Sequence, residues 1–208
     1  MKIALLDTET TGAGRHDEVI ELAIAVITID PESGRFTGLA GHYRGLREPR
    51  VPISAGALAV HGIGMHAVRG HSLDEPACRT LLEPCAAIVA HNITFDRAMM
   101  GRLWCWTLPL PWRCSCWGFD WRSIGAPNRR LQSLLAHFGI DPGSAHRAGS
   151  DVKAMHALLQ QDHPTTGRTF LWHVLNQPSR TRGSRQSRRM PQATPRDASA
   201  DDTQRSLL

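Results

Sequence analysis

The sequence predicts an α/β domain, and three features carry that prediction. Apolar runs rich in Ile and Val come first, at Lys2–Leu6 and Val19–Asp30. Segments with helical spacing then alternate with one further short apolar run, Ala86–Ala90. Hydrophobic residues make up 41% of the 208 positions, which gives enough apolar surface for a sizeable core and excludes a chain disordered throughout. Strands followed by helices interleaved with strands pack as a sheet covered by helices.

The elements follow in order. Lys2–Leu6 is a short apolar run bounded by polar residues and reads as a buried strand. Val19–Asp30 is a longer strand, and Pro31, Ser33 and Gly34 form the turn into a returning strand, Phe36–Tyr43. Ser54–Val60 forms a short helix leading into His61-Gly62-Ile63. Ser72 with Glu75 three residues on has the capping-box form and opens a helix that buries Leu81 and Leu82. Ala86–Ala90 is a strand and Phe95–Leu103 a helix. Trp104–Trp121 holds five of the six tryptophans, with Pro109 and Pro111, and matches neither periodicity. Asn128 caps a helix with Leu131, Leu134, Leu135 and Phe138 on one face, ended by Gly139. A last helix spans Asp151–Gln161.

Charge divides the chain unevenly. Residues 176–208 carry seven Arg and three Asp, so they hold +4 of the formal net charge of +5. This tail has almost no large apolar residue and is expected to be disordered, beyond a domain spanning 1–175. The stretch Met1–Leu6 is too short for the apolar region of a signal peptide, and no apolar run reaches membrane length. Five cysteines, an odd number without a secreted framework, point to the reducing cytoplasm. Cys105, Cys114 and Cys116 offer three zinc ligands, but no fourth stands at a usual spacing, so buried or free thiols are the simpler reading.

The chemistry concentrates in three segments. In Asp7-Thr8-Glu9-Thr10-Thr11-Gly12, two acids two apart at a strand end point to one face. Carboxylates that close repel unless a cation lies between them, and hard oxygen ligands suit Mg²⁺ or Mn²⁺. The turn at Thr10-Thr11-Gly12 lets backbone N–H groups approach a phosphate. His91-Asn92-Ile93-Thr94-Phe95-Asp96 places Asp96 at a helix start, where plain capping is the alternative. His146-Arg147-Ala148-Gly149-Ser150-Asp151 places His146 and Asp151 at the head of another.

In this order and spacing the segments resemble the DnaQ-like exonucleases, in the His-containing DEDDh branch that includes the proofreading epsilon subunit of bacterial DNA polymerase III. The resemblance covers roughly residues 1–161, and His61-Gly62-Ile63 matches a further family segment. It implies a ribonuclease-H-like fold, a central mixed β-sheet flanked by helices. It implies a 3′–5′ exonuclease working with two divalent ions, Mg²⁺ or Mn²⁺, held by Asp7, Glu9, Asp96 and Asp151. His146 would take the proton of the attacking water, releasing a nucleoside 5′-monophosphate. Thr10, Thr11, Gly12 and His61 would hold the terminal nucleotide, and Asn92 and Phe95 would shape the floor.

The implied partners are 3′ ends of nucleic acid, single-stranded or frayed DNA before RNA. A DNA polymerase is a further implied partner, and Gln204-Arg205-Ser206-Leu207-Leu208 faintly resembles pentapeptides that dock on sliding clamps. The alternatives are an RNA 3′-trimming nuclease and a non-catalytic replisome adaptor. An adaptor is expected to have lost one of the five residues, and all five are present. Truncation after Gln161 is expected to cost the domain little.

Overall fold

A computed structural model of the chain describes residues 1–143 and 145–177. Three strands open it: β1 (Lys2–Thr10), β2 (Val19–Ile29) and β3 (Phe36–Leu46). Three helices follow: α1 (Ala55–His61), α2 (Met65–Val68) and α3 (Glu75–Leu82). Then come β4 (Ala87–Ala90), α4 (Ile93–Leu103), β5 (Trp112–Cys114), α5 (Leu131–His137), α6 (Ala148–Leu159) and α7 (Phe170–Asn176). The sheet order is β3-β2-β1-β4-β5. β1, β2 and β3 pair antiparallel, and β4 joins β1 and β5 in parallel. The result is the expected mixed central sheet with helices on both faces. No described helix is long and apolar enough to cross a membrane.

The period of two along β1 builds two cores. Ile3 and Leu5 pack with residues of α5, α6 and α7 on one face. Ala4 and Leu6 pack with residues of α3, α4 and the tryptophan-rich stretch on the other. Because β1 continues through Thr10, the acidic motif lies inside the strand and obeys the same alternation. Asp7 and Glu9 therefore face α6, while Thr8 faces α4.

Several local expectations are corrected. Asp74, not Ser72, caps α3; its carboxylate accepts from the Ala77 N–H at 2.9 Å. Leu82 is buried, but Leu81 is only partly so, and the second buried position is Cys78. The N-cap of α5 is Arg130; Asn128 acts two residues earlier, its Oδ1 accepting from the Arg130 N–H at 2.8 Å. The stretch 104–121 resolves into a 3₁₀ turn at Cys105–Thr107, the edge strand β5 and the start of a second 3₁₀ turn at Trp121–Ile124.

The largest correction concerns the segment after Gln161. Phe170, Leu171 and Val174 of α7 are at most 1% exposed. Thr169 caps α7 through its hydroxyl and donates its N–H to Ser33 at 3.0 Å. Gln160 ties the same region to the β2–β3 turn, accepting from Phe36 N–H at 2.7 Å and donating to the Gly34 carbonyl at 3.1 Å. Burying each such side chain contributes about 1.5–3 kcal/mol. Truncation after Gln161 thus removes a part of the core comparable with a domain's whole net stability. The tail from 178 and the Gln204–Leu208 pentapeptide lie outside the described residues.

Candidate active site

Parity along β1 brings the carboxylates together. Asp7, Glu9 and Asp151, the last on the first turn of α6, present oxygens all within 4.8 Å of one another. They are the only such group of metal-ligating side chains among the described residues, so the three cysteines do not converge on a zinc site. Asp96 stands on the opposite side of β1, 4% exposed, where Oδ1 accepts from the Thr8 hydroxyl at 2.9 Å. It lies outside that close trio but lines the same groove as Asp7, His146 and Asp151. Its carboxylate turns to Thr8 rather than capping α4, whose N-cap is Asn92.

Packing acids together without a counterion raises their proton affinity. Burial, then the charges of Asp96, Glu9 and Asp151, push Asp7 well above the usual carboxylate range. Burial and then Asp151 push Glu9 up to about 8, with Arg147 opposing. Burial raises Asp96 to about 7 against the hydrogen bond from Thr8. Burial also raises Asp151, although His146 counteracts it. A set of hard oxygen donors that hold protons this tightly is a set that a divalent cation would satisfy, so the residues fit the metal that the sequence implies.

His146 enters the groove from an unusual backbone. Its φ is +60°, and it is the only non-glycine residue with positive φ among those described. That conformation is costly for a residue with a bulky side chain and persists only where the surroundings enforce it. Two contacts do so. The His146 N–H donates to Asp151 Oδ2 at 3.2 Å, and the next residue, Arg147, is clamped to Glu21.

Glu21 is the residue that sequence reading missed. It is fully buried on β2, the cross-strand partner of Glu9. It accepts from Arg147 Nε and Nη2, from Arg44 Nε and Nη2 and from the Ala148 N–H, at 2.7–3.1 Å. Burial pushes its carboxyl up, but those hydrogen bonds outweigh it and hold Glu21 below the ordinary range. One signal was available: a single acid interrupting the most apolar stretch of the chain.

The expected substrate contacts divide. Asn92 and Phe95 line the groove with the acids. Thr10, Thr11, Gly12 and His61 form a tight knot beside it. Both ring nitrogens of His61 are committed to main chain: Nδ1 accepts from Ile63 N–H at 3.0 Å, and Nε2 meets the Thr10 carbonyl at 3.1 Å. The Thr11 hydroxyl donates to Asp17 at 2.7 Å. At Gly12 a Cβ would fall 2.6 Å from Asp17 Oδ2, so a larger residue would displace the carboxylate that the Thr11 hydroxyl and the Gly14 N–H hold.

Comparison with known proteins agrees with this geometry. The model of the exonuclease family RNase_T matches residues 5–159. The zinc-bound complex of E. coli exonuclease I with single-stranded DNA superposes with a TM-score of 0.60 at 20% identity, covering 76% of this chain and 40% of that one. E. coli exonuclease I bound to a dT13 oligonucleotide gives 0.58 at 21%, with the same coverage. Exonuclease X in complex with 5′-overhanging duplex DNA gives 0.53 at 22%, covering 82% of this chain and 99% of that one. At these identities the likeness shows the fold, which is ribonuclease-H-like. The chain spans about 40% of the length of exonuclease I. No curated protein matches it.

Proposed function

Since the chain belongs to the exonuclease family, within its DnaQ-like group, we propose that it is a metal-dependent 3′–5′ exonuclease. Its substrate is a single-stranded or frayed DNA end, cut to nucleoside 5′-monophosphates. The convergence of Asp7, Glu9 and Asp151 from two distant elements carries this reading. These residues and Asp96 would hold two divalent ions, Mg²⁺ or Mn²⁺. When bound, the ions supply Lewis acidity that offsets charge on the phosphate and the departing oxygen.

The chain's own groups do the rest. His146, facing the groove, takes the proton of the attacking water as its oxygen bonds to phosphorus. The bond from phosphorus to the 3′ oxygen of the preceding nucleotide then breaks, and the terminal nucleotide leaves with its 5′ phosphate. Glu21 and Arg147 fix His146 in a conformation it would not otherwise keep, which lowers the reorganisation needed at each turnover. Five unpaired thiols suit work in a reducing cytoplasm. The likeness of the motifs to a proofreading subunit extends the proposal to frayed primer ends beside a polymerase.

The test is degradation of matched 3′-labelled and 5′-labelled DNA and RNA oligonucleotides with Mg²⁺, Mn²⁺ or EDTA. Stepwise loss of mononucleotides from the 3′ end, faster on DNA and absent in EDTA, is expected. Cleavage from the 5′ end, or cleavage that survives EDTA, would overturn it. Faster RNA trimming would move the substrate to RNA.

A further inference from the structure

The groove of about 1000 Å³ does not end at the acids. Its far side is built by Trp117, Arg122, Arg129 and Arg130. The Arg129 guanidinium lies over the Trp117 ring, 4.7 Å from its centroid. Its one acidic neighbour, Asp120, makes a long ion pair at 3.9 Å, and its Nε has no hydrogen-bond partner among the described residues. The main chain beneath is pinned: the Arg129 carbonyl meets His91 Nε2 at 2.8 Å and the Cys116 thiol at 3.5 Å, and His91 Nδ1 meets the Ser115 hydroxyl at 3.0 Å. Arg122 and Arg130 are exposed and pair with no acid among the described residues.

This wall has the opposite character to the catalytic end. There, Asp7, Asp96 and Asp151 repel a polyanion; here, three guanidiniums attract one, and that of Arg129 is held over an indole. A strand whose terminal phosphate sits at the acids must run its remaining nucleotides along the groove. We propose that the Arg129 guanidinium, backed by the Trp117 ring, forms a stacking site for the bases that precede the terminal nucleotide of a single-stranded nucleic acid, with Arg122 and Arg130 neutralising the phosphates between them. Stacking needs a base freed from its complement, so the wall selects single strands and tolerates any base. The arrangement adds a grip on the strand to the proposed exonuclease reading, on which it rests.

The experiment compares two substrates of the full-length protein: a short oligo-dT strand, and the p-nitrophenyl ester of thymidine 5′-monophosphate, which has one nucleotide and cannot reach the wall. Trp117→Ala is expected to raise KM for oligo-dT about tenfold and leave the ester unchanged. Arg122→Ser with Arg130→Ser, at exposed positions that cannot unfold the domain by losing a partner, is expected to make log Kobs against log [salt] shallower by about 1.4. Equal losses on both substrates would mark the wall as structural and overturn the proposal. So would an unchanged KM and salt slope, or a blunt duplex that binds as tightly as oligo-dT with the same loss in Trp117→Ala. If the wild type hydrolyses neither substrate, the exonuclease reading fails. Binding of fluorescent oligo-dT by wild type and the Arg122→Ser, Arg130→Ser variant then decides this proposal alone.

Discussion

Strand β1 and the stretch 104–121 both mix polar with apolar residues, yet they use that mixture in opposite ways. In β1 position decides everything: odd residues meet α6 and even residues meet α4, so Asp7 and Glu9 reach Asp151 while Thr8 reaches Asp96. In 104–121 residue type decides nothing by itself, because tryptophans there have three different fates. Trp112 and Trp121 are buried, Trp104 and Trp106 stack on each other at 5.9 Å, half-buried against the core that α3 and α4 cover, and Trp117 lines the groove. A regular element transmits sequence into space by its period. An irregular segment does so through individual side-chain partners that composition cannot reveal.

The comparison breaks first at Asp7. If parity in β1 places a metal ligand there, Asp7→Asn lowers turnover by on the order of 10³-fold or more with the fold intact. Turnover above about a tenth of wild type, measured on labelled DNA, would mean that the strand merely points an acid at solvent. His146→Ala lowers turnover by roughly 10²–10⁴ while Mn²⁺ binding persists by calorimetry. Lost binding would make it a ligand.

The tryptophans sharpen the other side. Trp121 is fully buried, donates its indole N–H to the Ser115 carbonyl at 2.8 Å and packs edge-on against Phe119, Phe138 and Phe170. Trp121→Ala costs about 3–5 kcal/mol in urea unfolding. Trp106 is half-buried, donates to Glu75 at 2.7 Å and lies under the Arg79 guanidinium. Trp106→Ala costs about 1 kcal/mol. Equal costs would make the stretch uniform and erase the distinction.

A smaller effect reads the acids without activity. In EDTA, Glu9 at about 8 and Asp96 at about 7, with Asp7 and Asp151 also raised, bind more protons folded than unfolded. Stability from these groups is complete below pH 4 and falls as pH rises toward 8. The buried histidines, shifted down, act in the reverse sense only below about pH 6.5, where an unfolded histidine gains its proton. The melting midpoint in EDTA therefore falls between pH 6.5 and 8, below the range where the thiols, also shifted up by burial, contribute a fall of their own, and Mg²⁺ abolishes it. A midpoint that rises over this range would show that the acids do not repel.

Legibility followed the same line as the comparison. Four of the five strands and α6 were readable because periodicity is local, while β5 was hidden in the irregular tryptophan-rich stretch; the acids that converge, Asp7, Glu9 and Asp151, stood out by their order and spacing. α7 was not readable, because Phe170, Leu171 and Val174 sit in seven residues without a cap pattern strong enough to stand out, and their burial depends on a hairpin far upstream. Glu21 was visible only as a flaw in an apolar run, since its meaning lies in Arg44 and Arg147. The knot at His61 was found by resemblance, but its partners are backbone atoms that no motif specifies.

The Glu21 clamp also dates the site within the making of the chain. Its arginine at position 147 lies 126 residues downstream of the carboxylate it satisfies. Until that arginine has been synthesised, β2 offers the growing sheet a buried acid lacking most of its partners, a cost of several kcal/mol that opposes early closure. Contacts this distant in sequence form late. Asp7 and Glu9 therefore wait on the growing chain as two acids on an unfinished strand, and the cluster closes only once Arg147 and Asp151 have followed them.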